Sequence, residues 1–379
     1  MSTIPGWKDK VLFTPGPLTT SRTVKQAMLR DLGSRDFEFI EAVKEIRAGL
    51  LAAGGVQGKG YDAIIMQGSG TFSVEAVLSS TVPPDGGVVV VINGAYGERI
   101  LKMCEVMKIP ATAVRFPEDA LPDVDTVRKA IAAQTGATHL AIVHCETTTG
   151  IFNPLEPFGA LAAELGLVYF VDAMSSFGAV PIDFESAHID YLVSSANKCI
   201  EGVPGFGFVI ARRATLDATA GWARSLSLDL LAQRKGLEAN GQFRFTPPTH
   251  SLLAYHQALL ELDQEGGVPG RAARYRHNNA VLVEGMRALG FVEYLRPELQ
   301  GYIITSFRYP EDPRWDFEAF YRLLNERGYT IYPGKVCNAD CFRIGNIGRI
   351  FEEDIRALLA AIGDVCRELG LNLKARQGA

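Results

Sequence analysis

VYFVDAMSSFGAVPIDFESAHIDYLVSSANK, residues 168–198, is the stretch whose reading decides the fold. It holds two apolar runs, Val168–Val171 and Tyr191–Val193, and each ends at once in polar residues. Asp172-Ala173 follows the first, and Ser194-Ser195-Ala196-Asn197-Lys198 follows the second. Short unbroken runs of β-branched and aromatic residues suit strands buried on both faces, as in a mostly parallel sheet covered by helices. The same grammar extends outward. Ala63–Met66 ends in Gln67-Gly68-Ser69-Gly70, Val88–Ile92 in Asn93-Gly94-Ala95-Tyr96, and Leu140–Val143 in His144-Cys145-Glu146-Thr147. In open α/β sheets ligands bind outside the carboxyl ends of the strands. Five polar clusters at five strand ends therefore point to one shared site. Phe206–Ala211 follows Lys198 through a Gly-Val-Pro-Gly connection too short for a helical crossover, so an antiparallel strand is expected there.

The last third reads differently. Helices are expected over Leu252–Glu265, Arg271–Leu289 and Asp316–Arg327, and strands over Tyr302–Phe307, Thr330–Tyr332 and Cys341–Ile344. Ile355, Leu358, Leu359, Ile362 and Val365 mark an amphipathic C-terminal helix. The 379 residues exceed the size at which one core usually stops growing. The expected organisation is an N-terminal segment over 1–15, a large α/β domain over 16–262 and a smaller α+β domain over 263–379.

Hydrophobic residues at 47% and charged residues at 21% are ordinary for a globular chain and argue against disorder. A net charge of −5 offers no bulk attraction to nucleic acid or an anionic membrane, and neither is an expected partner. No apolar run is long enough for a membrane span, and Met1–Lys10 lacks the apolar region of a signal peptide. Six cysteines in a chain this long make no disulfide framework, so a reducing cytoplasm is the expected compartment. Cys337 and Cys341 lie four apart without a second ligand pair, and are read as ordinary thiols with no metal expected.

Asp172 and Lys198 together suggest a chemistry. Pyridoxal 5′-phosphate needs a lysine amine for its aldehyde and an acid beside its pyridine nitrogen. A carboxylate there favours the protonated, electron-accepting ring. Alone, Asp172 could be a helix cap and Lys198 a solvated loop residue. Gly68-Ser69-Gly70-Thr71 opens the helical stretch Phe72–Ser80, where backbone N–H groups and hydroxyls suit a phosphate. The dinucleotide fingerprint is incomplete, with Ser73 at the third glycine, so a phosphate monoester fits better. Tyr96 could cover the pyridine ring, and Thr147 could donate to its ring oxygen; His144 reads as structural. Arg343, inside the apolar run Phe342–Ile344, needs a partner. Its planar fork matches a carboxylate or phosphonate, an intramolecular ion pair being the alternative.

The motifs LFTPGPLTTSRTVKQAML (12–29), QGSGTFSVEAVL (67–78), NGAYGER (93–99) and VHCETTTGIFNP (143–154) go further. So do VDAMSSFGAVPID (171–183), DYLVSSANKCIEGVPGFGFVIAR (190–212), RSLSLDL (224–230), FTPPTH (245–250), YPGKV (332–336) and FRIGNIG (342–348). On these motifs, which span nearly the whole chain, the sequence resembles the class V aminotransferases of pyridoxal-phosphate fold type I. Within that family it most resembles enzymes that exchange an amino group between 2-aminoethylphosphonate and pyruvate in phosphonate degradation. The resemblance implies a large domain with a mostly parallel sheet and a small C-terminal α+β domain. It implies Lys198 as the cofactor lysine and Asp172 as the pyridinium partner. Ser69, Gly70 and Thr71 would hold the cofactor phosphate, Tyr96 would stack on the ring, Thr147 would bond its oxygen, and Asn197 would lie beside the lysine. Thr246 would reach the cofactor of a neighbouring subunit, implying a homodimer with shared sites. Arg343 would clamp the acid group of the substrate, and Thr19–Arg22 is a further candidate for phosphonate contacts. Alanine– or serine–glyoxylate aminotransferases would keep the fold and change the substrate. Cysteine desulfurases place a histidine before the lysine, where this chain has Asn197.

Overall fold

The apolar runs assemble into one seven-stranded sheet. Its strands in chain order are β1 (Tyr61–Gly68), β2 (Gly87–Ile92), β3 (Ala111–Arg115), β4 (Ala137–Val143), β5 (Val168–Asp172), β6 (Tyr191–Ser195) and β7 (Gly205–Arg212). The spatial order is β1-β7-β6-β5-β4-β2-β3. Every pair from β6 to β3 is parallel, and β7 alone runs against its neighbours. The computed structural model describes residues 9–334 and 339–373.

Both faces of the sheet are covered, which explains the unbroken apolar runs. Alternate residues enter opposite cores: Ile64, Met66, Val88 and Val90 join one cluster, and Ala63, Ile65, Val89 and Val91 the other. Helices α1 (Phe37–Ala53) and α4 (Thr249–Gln264) pack together over the second cluster, whereas α2 (Gly70–Thr81) and α3 (Ala95–Val106) supply Val74, Val77 and Ile100 to the first. β3 was not foreseen. It is an edge strand, Ala-Thr-Ala-Val-Arg, only one residue of which is buried, so it carries no apolar run.

A third core gathers Phe13, Leu282, Met286, Phe307, Phe342, Leu358 and Ile362. It unites α5 (Gly267–Ala288), α6 (Phe317–Glu326) and α7 (Glu352–Glu368) with a three-stranded antiparallel sheet. That sheet is β8 (Ile304–Arg308), β9 (Tyr332–Pro333) and β10 (Cys341–Gly345), with β10 central. The expected strand over 330–332 divides, because its two halves meet different partners. Tyr329–Thr330 pairs with Val11–Leu12, and Tyr332–Pro333 pairs with β10. Helix α5 begins four residues before the expected Arg271, since Gly266 and Gly267 both take positive φ and turn the chain within two residues. Cys341 is buried on β10, and Cys337 lies outside the described residues. Among the described residues no helix is long and apolar enough to cross a membrane, and no group of three or more His, Cys, Asp or Glu could hold a metal ion.

Candidate active site

The carboxyl ends of the parallel strands converge on a cavity of about 260 Å³. Ser69, Gly70 and Thr71 line it from the start of α2, Tyr96 from α3, Asp172 from the end of β5, and Asn197 and Lys198 from the turn after β6. These strands flank the point where the chain leaves β2 toward β3 and returns through β4 on the other side, the usual place for a ligand in such sheets. A larger cleft of about 650 Å³, between α1 and α4, is mainly apolar and contains none of these residues.

Asp172 is buried, and its Oδ1 accepts the N–H of Met174 at 2.9 Å. Burial pushes its carboxyl up to about 6, opposed by that N–H, by Lys198 and by Arg99. The other oxygen makes no hydrogen bond among the described residues. The Lys198 amine donates to the Pro15 carbonyl at 2.6 Å. Burial brings it down to about 8, with Cys199, Asp172 and Cys145 pulling toward the charged form. Gly16 closes this side: at φ +102, a Cβ there would collide with the Asn197 carbonyl and sit 2.8 Å from Lys198 Cδ. Ser69 occupies the N-cap of α2 yet makes no side-chain capping bond, so its hydroxyl and the helix start stay uncommitted.

The Lys198 turn is braced from behind. Glu201 has φ +66, a costly conformation for a residue with a side chain. Its carboxylate accepts Arg274 at 2.7 Å and the Tyr275 hydroxyl at 2.6 Å. Arg271, wholly buried, donates to the Cys199 carbonyl at 2.6 Å and to Glu265 at 2.7 Å.

Three expected residues do not line the cavity. Arg343 is buried, donates through Nη1 to the Thr147 carbonyl at 2.8 Å and through Nη2 to the Pro333 carbonyl at 2.9 Å, and lies 4.9 Å over the Tyr332 ring. Tyr332 does line the cavity, so Arg343 stands behind it. Burial lowers the Arg343 pKa, and no carboxylate pairs with it among the described residues. Thr147 is buried beside it. Thr246 is exposed, next to the Phe245 carbonyl that accepts Gln67 Nε2. Within Thr19–Arg22, two side chains have partners outside the cavity: Thr19 Oγ1 accepts Leu12 N–H, and Ser21 caps Val24 N–H and donates to Glu261. His144 bonds Ser176 Oγ at 2.8 Å, and burial holds it down at about 4.

The sequence reading missed Gly16, Arg99 and Tyr332 at the cavity and the Pro15 carbonyl that meets Lys198, and gave Glu146 no role. Arg99 lies 4.8 Å over the Tyr96 ring. Glu146 is wholly buried, and burial pushes its carboxyl up to about 7 against N–H bonds from Tyr96 and Gly97. A signal was available: Gly94 precedes α3 with no capping side chain, and an acid sits at the neighbouring strand end.

Residues 20–357 match the family model of the class V aminotransferases. The chain belongs to that family. This aminotransferase is 53% identical over 357 residues, 94% of its length and 97% of theirs, to proteins named 2-aminoethylphosphonate–pyruvate transaminase from Salmonella schwarzengrund and Salmonella typhimurium. Its fold matches that of ureidoglycine–glyoxylate aminotransferase from Bacillus subtilis with a TM-score of 0.88 at 22% identity, over 97% of this chain and 96% of that one. Alanine–glyoxylate aminotransferase from Nostoc sp. matches with a TM-score of 0.86 at 26% identity, over 97% and 98%. The aminotransferase fold is thus pyridoxal-phosphate fold type I, and its cofactor is pyridoxal 5′-phosphate. The cavity suits that group, for it offers a lysine, a buried acid with one free oxygen, an uncapped helix start and an aromatic wall.

Proposed function

We propose that this aminotransferase converts 2-aminoethylphosphonate and pyruvate to phosphonoacetaldehyde and L-alanine, a step of phosphonate degradation. The observation that carries the reading is 53% identity, across nearly the whole of both chains, to relatives bearing that activity in their name. When bound, the cofactor withdraws electrons from the amino-bearing carbon and so loosens its C–H bond. Lys198 would hold the cofactor through its Nζ, and that amine, when free, would take the proton from the amino-bearing carbon and deliver it to the cofactor side of the same C–N unit. Its lowered pKa leaves a useful fraction of free amine near neutral pH. Asp172 holds the proton on the pyridine nitrogen. Ser69, Gly70 and Thr71 hold the phosphate, Tyr96 covers the ring, Thr147 bonds the ring oxygen, and Asn197 flanks the lysine. Arg343 would bind the phosphonate of one substrate and the carboxylate of the other; its guanidinium now meets only the Thr147 and Pro333 carbonyls, with no carboxylate in a salt bridge to it among the described residues.

A homodimer is part of the reading, with Thr246 serving the partner's cofactor. The exposed side chains of Phe72, which follows the cavity residue Thr71, and of Phe245, which precedes Thr246, support a covered face. The separate third core supports a large domain over 16–262 and a small one over 263–379, with the end of the segment 1–15 packed on the small one. The proposed compartment is the cytoplasm.

The test is spectral. The cofactor-loaded enzyme is mixed with 2-aminoethylphosphonate and no keto acid. The visible band of the bound cofactor is expected to fade and to return when pyruvate is added. A band that ignores this donor but fades with L-alanine or L-serine would refute the phosphonate reading and leave the aminotransferase intact.

A further inference from the structure

Helix α3 begins without a cap of its own. Its N-cap is Gly94, which has no side chain to offer, so the first N–H groups need partners from elsewhere. They find them in one buried loop. Ala95 N–H donates to Thr148 Oγ1 at 3.2 Å. Tyr96 N–H and Gly97 N–H donate to Glu146 Oε1 at 3.1 and 3.0 Å. Thr148 Oγ1 in turn donates to Glu146 Oε2 at 3.1 Å. The fit is close, since a Cβ on Gly94 would lie 2.5 Å from the Glu146 carboxyl carbon. An acid at a helix start also meets the favourable end of the helix dipole.

The same loop faces the small sheet with its backbone. The Thr147 carbonyl accepts Arg343 at 2.8 Å, and the Thr148 carbonyl accepts Ser306 Oγ at 3.0 Å. The loop itself is fixed as a short hairpin, with Cys145–Glu146 paired to Ile151–Phe152. Glu146 and Thr148 therefore sit between the element that carries Tyr96 and the strand that carries Arg343. We propose that the Glu146–Thr148 pair is a positioning clasp that caps α3 from outside and fixes the Tyr96 ring relative to Arg343. Glu146 is a positioning residue and takes no part in proton transfer. Both N–H bonds fall chiefly on one carboxyl oxygen, so glutamine, whose amide keeps one carbonyl oxygen, preserves most of the clasp. Alanine abolishes it and takes the acceptor from the Tyr96 and Gly97 N–H groups and the Thr148 hydroxyl.

This inference rests on the reading of Tyr96 as the ring that covers the cofactor, and the experiment separates the two. Full-length, cofactor-loaded enzyme is compared with Glu146→Ala, Glu146→Gln and Tyr96→Ala. Three quantities are read: amide exchange in the segment 93–106, the rate of cofactor loss, and turnover. In Glu146→Ala, exchange in 93–106 and cofactor loss are each expected to rise by roughly ten-fold or more, the scale of an unsatisfied buried donor. Glu146→Gln is expected to stay within roughly ten-fold of the parent in all three. Unchanged exchange in 93–106 in Glu146→Ala overturns the clasp. A dead Glu146→Gln with parental exchange and cofactor retention also overturns it, because the carboxylate would then be acting in the chemistry. If Glu146→Ala does not fold, Thr148→Val, which keeps the side-chain shape, must speed exchange in the same segment; parental exchange there overturns the clasp. Unaltered cofactor loss in Tyr96→Ala refutes the stacking reading alone.

Discussion

The cavity makes the Lys198 ammonium uncomfortable. Burial brings its pKa from the ordinary 10.5 to about 8, although Asp172 and two thiols favour the cation. Between those two values the unfolded chain binds a proton that the folded chain has released, so this group adds stability as pH rises through the window. Below it, the buried charge costs stability. Lys198→Met in the cofactor-free protein should therefore raise the unfolding free energy from urea titration at pH 7 by roughly 1–3 kcal/mol, and the midpoint with it, while abolishing turnover and the cofactor band. A lower midpoint would refute this account of the lysine. The parent's uptake of pyridoxal phosphate should quicken with pH up to about 8 and then level, which stopped-flow absorbance would read. Gly16→Ala should harm turnover without removing any functional group, because its methyl meets Lys198 Cδ and the Asn197 carbonyl and its φ is positive. Full activity in that variant would mean the backbone yields there at little cost. Asp172 and Lys198 were legible as a pair: each alone has an ordinary structural reading, but an acid and an amine at two strand ends of one sheet suit a single cofactor. Pro15 was not legible. It reaches Lys198 by a backbone carbonyl from 183 positions away, and no side-chain pattern announces that.

Among the elements, the strands of the large sheet were readable because burial on both faces leaves unbroken apolar runs. Edge strand β3 and the divided strand around Ile331 were not, because partner choice, unlike composition, is a tertiary fact. The start of α5 matters most for function. By beginning at Gly267, the helix brings Arg271, Arg274 and Tyr275 against the Lys198 turn. Arg271 is fully buried and spans Glu265, the Cys199 carbonyl and, at 3.4 Å, Glu201. Without Arg271, Arg274 alone must balance both Glu201 and Glu265, so Arg271→Ala should cost about 3–5 kcal/mol in urea unfolding. Lysine cannot reproduce the forked contacts, and Arg271→Lys should recover less than half of that loss. A loss below about 1 kcal/mol would show that the cluster relaxes and that the lysine turn does not depend on it.

At the scale of the whole molecule, one chain brings seven of the ten expected site residues to a single cavity, and the three others lie outside its lining. Arg343 and Thr147 are held just behind the Tyr332 wall, whereas Thr246 is exposed on the face that also carries Phe72 and Phe245. An exposed residue expected to touch a cofactor makes sense if a second copy covers that face and receives it. This gives the proposed dimer a sharp test by mixing. Lys198→Ala chains carry an intact Thr246, and Thr246→Asp chains carry an intact Lys198; the aspartate repels a phosphate. Each variant alone should be nearly inactive. After the two are unfolded and refolded together in equal amounts, half of the dimers are mixed, and each mixed dimer holds one site with both native residues. Turnover should therefore return to about a quarter of that of refolded parent enzyme. If Thr246 serves the cofactor of its own chain, every site in the mixed dimer carries one damaged residue, and mixing restores nothing.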